Sequence, residues 1–130
     1  MTFRRLNPAA IHPPFANYAH GIEVPPGTRL VFCSGQLGIA ADAAVPEDAG
    51  GQADLCFAAI AAILREAGMT LADVIRLNAY VTHRAHLPAY MAARDRHMGL
   101  AVCASTLMIV SGFAREIFKV EVEAVAGRRD

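Results

Sequence analysis

The chain has 130 residues, the length of one domain, and 55% of them are hydrophobic against 18% charged. Its 12 basic and 12 acidic side chains cancel, and the arginines are scattered (Arg4 and Arg5, Arg94 and Arg96, Arg128 and Arg129). A phosphate backbone or an anionic lipid surface is therefore not expected as a partner, and no apolar run reaches the roughly 18 residues of a membrane span.

Residues 1–17 are rich in Pro and small side chains and lack periodicity, which predicts an irregular arm. Arg4 and Arg5 are followed by Asn7, Pro8, His12, Pro13 and Pro14 instead of an apolar core, so the arm does not read as a secretory signal. Two short apolar runs, 21–24 and 28–34, flank Pro25-Pro26-Gly27 and are expected to form a hairpin. Residues 35–51, with four Gly, one Pro and several Ala and Asp, are expected to be a surface loop.

From Gln52 to Ala67 the period becomes helical, with Cys56, Ile60, Ile63, Leu64 and Ala67 on one stripe. Asp48 and Asp54 suit the positive end of that helix, and Gly68 stands where a C-terminal cap belongs. In 74–82, Ile75, Leu77, Ala79 and Val81 alternate with Arg76, Asn78, Tyr80 and Thr82, the pattern of a strand with one face on a core. A second helix is expected over about 87–97, with Pro88 in its first turn and Gly99 ending it. Strands at 104–110 and 118–126 complete the order strand, strand, helix, strand, helix, strand, strand. This order predicts an α+β domain in which two helices cover one face of a mixed sheet. The other face then needs cover from a second subunit, which also suits the apolar composition.

The last strand carries the most suggestive polar pattern. Phe118, Val120, Val122 and Ala124 share one face, and Lys119, Glu121 and Glu123 share the other. The two carboxylates stand about 7 Å apart. They are either a solvated strand face or a general acid–base site, since a partly buried carboxylate can exchange protons with water. Ser34 and Ser105 lack a nucleophile elbow. His83 and His86 lack a metal-binding frame, and nothing cationic adjoins Cys103 to activate it. Cys33, Cys56 and Cys103 are odd in number and far apart, as expected of reduced thiols in a cytoplasm.

In their order and spacing, these landmarks resemble the RidA family, also called YjgF or L-PSP endoribonuclease-like. The residues that carry the resemblance are Asn17-Tyr18-Ala19-His20-Gly21, Cys33-Ser34-Gly35-Gln36-Leu37, Gln52 at the start of the first helix, Ala67-Gly68 at its end, Asp73-Val74 with Tyr80-Val81-Thr82, and the run from Val120 to Ala126. The resemblance spans about residues 13–127 and implies one chorismate-mutase-like domain over 1–130, assembled as a homotrimer with clefts between subunits. It also implies hydrolysis of reactive enamines and imines, without metal or organic cofactor. In that chemistry an arginine grips the substrate carboxylate as a bidentate partner, and a glutamate matching Glu123 positions water.

The chain departs from the family pattern at two places. Val102-Cys103-Ala104-Ser105 occupies the family's Pro-Ala-Arg-Ser, so Ala104 stands at the arginine, and Ala59 replaces an asparagine of the first helix. Alanine cannot hold a carboxylate, so simple 2-imino acids are not the expected substrates. Two readings follow. In one, the chain is an imine or enamine hydrolase: Glu123 handles water, Tyr18, Ser34, Gly35, Ala104, Ser105 and Thr106 line the cleft, and Arg115 is a candidate replacement cation. In the other, it is a non-catalytic trimer that binds a small metabolite or acts as a regulator. The ribonuclease activity in the older family name ranks third, given the neutral charge.

Overall fold

The computed structural model of the chain describes residues 3–130. Six strands and two helices are present: β1 (Arg4–Leu6), β2 (Gly21–Glu23), β3 (Arg29–Leu37), α1 (Ala49–Glu66), β4 (Val74–Val81), α2 (Leu87–Met98), β5 (Ala104–Ile109) and β6 (Val120–Arg128). Two helices packed on one face of a mixed sheet is the architecture expected from the sequence.

The main sheet has the order β3-β6-β4-β5. β6 runs antiparallel to both of its neighbours, and β4 and β5 are parallel, joined through α2. The expected hairpin before α1 does not form. β2 pairs with β1 in a separate two-stranded sheet, while β3 pairs with β6. The Pro25 carbonyl does accept Thr28 N–H, at 3.3 Å, so the turn exists. It turns the chain away from itself, because Pro25 and Pro26 contribute no amide donor to a ladder. The arm is likewise not wholly irregular, since Arg4–Leu6 finds a partner in Gly21–Glu23. Nor is 35–51 all loop: β3 continues to Leu37 and α1 begins at Ala49.

That early helix start has a local cause. Asp48 is the N-cap, and its carboxylate accepts the Gly51 N–H at 2.8 Å, overriding the poor helix propensity of Gly50 and Gly51. At the other end Gly68 adopts φ 71°, the left-handed conformation that ends a helix cheaply only at glycine. α1 packs on β3 and β6, and α2 packs on α1. The core between them holds Phe57, Ile60 and Leu64 of α1, Tyr90 of α2, Leu77 and Val81 of β4, and Val120 and Val122 of β6, all essentially inaccessible to solvent. Each large apolar side chain buried this way contributes roughly 1.5–3 kcal/mol. The strict alternation of β6 thus drives one set of side chains into the core and leaves Glu121 and Glu123 on the face without helices. Apolar groups remain bare there, with Phe32 74% and Met108 52% exposed.

Candidate functional site

On the face without helices, Glu123 is in register with Asn78 of β4, which is in turn in register with Thr106 of β5. The three side chains form one row across the sheet. Glu123 Oε1 accepts the Tyr80 hydroxyl at 2.6 Å and Asn78 Nδ2 at 3.1 Å. The bond to Glu123 raises the Tyr80 phenol above its usual pKa, with burial adding to the effect, so Tyr80 stays a donor. Both bonds converge on one carboxylate oxygen and neither uses Oε2.

Across the sheet on the β3 side, Cys33 opposes Ala124 and Gln36 opposes Val122, so Ser34 and Gly35 together stand opposite Glu123 as a β-bulge. Bulges of this kind re-aim a strand beside a site. A Cβ at Gly35 would collide with Glu121 Oε1 and lie 2.8 Å from its Cδ, so a larger residue there would displace the Glu121 carboxylate. A cavity of about 210 Å³ opens beside Glu123, lined by Phe32, Cys33, Asn78, Ala124 and Val125. At about 30 Å³ of liquid per water, it has room for a metabolite of a few heavy atoms.

The comparisons with known proteins bear on this arrangement. A family model described as endoribonuclease L-PSP matches residues 9–127. The chain belongs to this family. Among solved structures of its relatives, the Yersinia pestis protein YyfB, described as of unknown function in the conserved Rid protein family, is 30% identical. That match covers 97% of this chain and 98% of the other, with a TM-score of 0.83. The YjgF gene product of E. coli is 25% identical, with 95% and 94% of the two chains covered and a TM-score of 0.71. RidA from an Antarctic Psychrobacter, 24% identical over 97% and 98% of the chains with a TM-score of 0.70, shares the fold. No curated protein matches the sequence.

Within this L-PSP family fold, the residues singled out from the sequence fall in different places. Glu123, Ser34, Gly35 and Thr106 meet at the row or its flanking bulge. Ala104 begins β5, buried, beside Arg76 and in a single bridge with Ala19. Tyr18 precedes that bridge and its hydroxyl accepts the Phe15 N–H, so it borders the β5 end and makes no hydrogen bond to the row. Ser105 is in register with Leu77, a core residue, and therefore belongs to the helix-covered side. The Arg115 guanidinium lies 5.3 Å from the Phe118 ring centroid, and the structure does not bring it to Glu123.

Asn78, Tyr80 and Arg76 join the row without having been singled out. Their signal was the polar half of the β4 alternation, which shares a face with Glu121 and Glu123 once β4 and β6 pair. The three cysteines are buried and unpaired, and burial pushes Cys103 up to about 11 and Cys56 up to about 12, so neither is an activated nucleophile. Among the described residues, no helix is long and apolar enough to cross a membrane, and no group of three His, Cys, Asp or Glu could hold a metal ion.

Proposed function

We propose that the protein is a cofactor-independent hydrolase of a small imine, enamine or related reactive electrophile other than a simple 2-imino acid. The observation that carries this reading is the Glu123 carboxylate, held at one oxygen by Tyr80 and Asn78 beside a small cavity. Oε2 is left to accept a proton from water. The water oxygen adds to the C=N carbon, the nitrogen takes up a proton, and the resulting carbinolamine loses ammonia to leave a carbonyl. Two donors on Oε1 fix the direction from which the base acts, which general base catalysis requires before its pKa matters.

The working unit in this reading is one domain in a cytoplasmic homotrimer. Support comes from the family, from the bare apolar residues on the open sheet face and from three unpaired thiols. Neutral net charge gives no reason to expect nucleic acid as a partner. Ala104 supports substrates other than simple 2-imino acids, because position 104 itself supplies no cation to grip a carboxylate.

The test is ammonia release from imines generated by an amino-acid oxidase, with and without carboxylates. Wild type should hydrolyse at least one, and Glu123→Gln should lose about 100-fold or more in kcat, the typical weight of a general base. If both are equally inert on every imine, the non-catalytic binding reading replaces this one. A monomeric mass by light scattering would overturn the trimer.

A further inference from the structure

The hydrolase reading gives Arg76, on the open face, no task. Arg76 follows a second bulge, where β4 slips against β6 between Val74 and Arg76, and it stands in register with Ala104. Its guanidinium donates to Thr106 Oγ1 at 2.7 Å. Among the described residues it forms no ion pair with a carboxylate. A guanidinium tied to one neutral hydroxyl keeps most of its five donors available, and their planar fork fits a carboxylate in two parallel bonds.

The row described above fixes where those donors lie. The Thr106 and Glu123 Cα positions are two strand spacings, about 10 Å, apart, and the guanidinium is tied to the Thr106 end of that row. Asn78 lies between them. Its Nδ2 is committed to Glu123, while its Oδ1 is buried without a hydrogen-bond partner. An acceptor in that state awaits a donor. Ala104, in register with Arg76, presents only a methyl group.

We propose that Arg76 is the anion-binding residue of this site. Steadied by Thr106, it holds the acid group of the substrate, Asn78 Oδ1 accepts the substrate N–H, and the C=N carbon faces the water on Glu123. The substrate is then an anionic imine or enamine whose acid group lies toward β4, not over position 104. The proposal rests on the hydrolase reading for its reaction, but binding alone can test it.

The probes are short carbonyl-bearing carboxylates and the matching primary amides, titrated into the full chain by calorimetry. Wild type should bind the acid about tenfold or more tightly than the amide, as expected for charge-assisted bonds. Arg76→Gln should erase that preference, Arg76→Lys should keep part of it, and Glu123→Gln should leave it intact. Where turnover is measurable, Arg76→Gln should raise KM for the anionic imine and alter kcat less. Equal binding of acid and amide by wild type, or a preference that survives Arg76→Gln, overturns the assignment. A preference lost in Arg76→Gln with no turnover in wild type keeps Arg76 and removes the hydrolase reading.

Discussion

Replacing Gln52 with methionine tests how the chain is held where it enters β6. Gln52 is fully buried at the start of α1. Its Nε2 donates to the carbonyls of Pro46 and Ile117, both at 2.9 Å, and its Oε1 accepts the Lys119 N–H at 2.7 Å. One side chain therefore clamps the loop before α1 to the segment before β6. Methionine nearly conserves the volume, so the loss is dominated by three hydrogen bonds at about 1 kcal/mol each, or roughly 3 kcal/mol. For a chain of this length that is a fall in Tm of roughly 10 °C. Urea and thermal unfolding followed by circular dichroism, at one fixed protein concentration because assembly contributes to stability, would measure it. A Gln52→Met variant within about 1 kcal/mol of wild type would refute the clamp, since even one net hydrogen bond is worth that much.

Four further outcomes are expected. Gly38→Ala should lose about 1–3 kcal/mol in urea unfolding, because a Cβ there would lie 2.5 Å from the Gln52 Cα, which cannot swing aside. Cys56 and Cys103 should resist alkylation in the native protein at mildly alkaline pH and react rapidly once it is unfolded, as read by mass spectrometry; fast native labelling of Cys103 would contradict its raised pKa. Burial would raise Asp54, but hydrogen bonds from Arg96 and His97 hold it below its ordinary 3.8, so it stabilises the fold above that pH. The stability advantage of wild type over Asp54→Asn should therefore shrink as pH falls through 3.8 and below, and an advantage unchanged by acid would exclude the linkage. Tyr80, raised above 10.0 by Glu123, adds stability that is complete below that pH and lost on further alkalisation, so Tyr80→Phe should flatten the alkaline arm of the stability curve.

Periodicity carried most of the architecture. The alternation of 118–126 and 74–82 and the helical stripe of 52–67 correspond to β6, β4 and α1, because each is set by which side chains must leave water. Pairing was less legible. The partner of 21–24 was misplaced since proximity in sequence favours a hairpin, whereas two prolines and a compatible strand at Arg4–Leu6 decide otherwise. The pair Glu121 and Glu123 showed in its own strand and the family resemblance singled out Glu123, but Asn78, Tyr80 and Arg76 become site residues only through the register of β6 with β4 and β5, a long-range property that no local pattern records. Ser105 entered the cleft list through its match to the family's Pro-Ala-Arg-Ser, but its register with Leu77 sends it to the face opposite that of Thr106.

The strand order has a consequence for how the molecule is made. β6 is the innermost partner of both β3 and β4, yet it is the last of the four to be synthesised. Until it emerges, β3 has no strand to pair with, and β4 with β5 forms a parallel ribbon open at both edges. The β3–β6 ladder joins Arg29 to Arg128, so closing it requires a loop of about three quarters of the chain, the kind of contact that slows folding. The nascent chain therefore spends its growth with unpaired edges and uncovered Val and Leu side chains, the condition in which sheets associate wrongly. Ribosome-bound chains stalled before Val120 should remain open to proteolysis, and protection should arrive in a single step once β6 has cleared the exit tunnel.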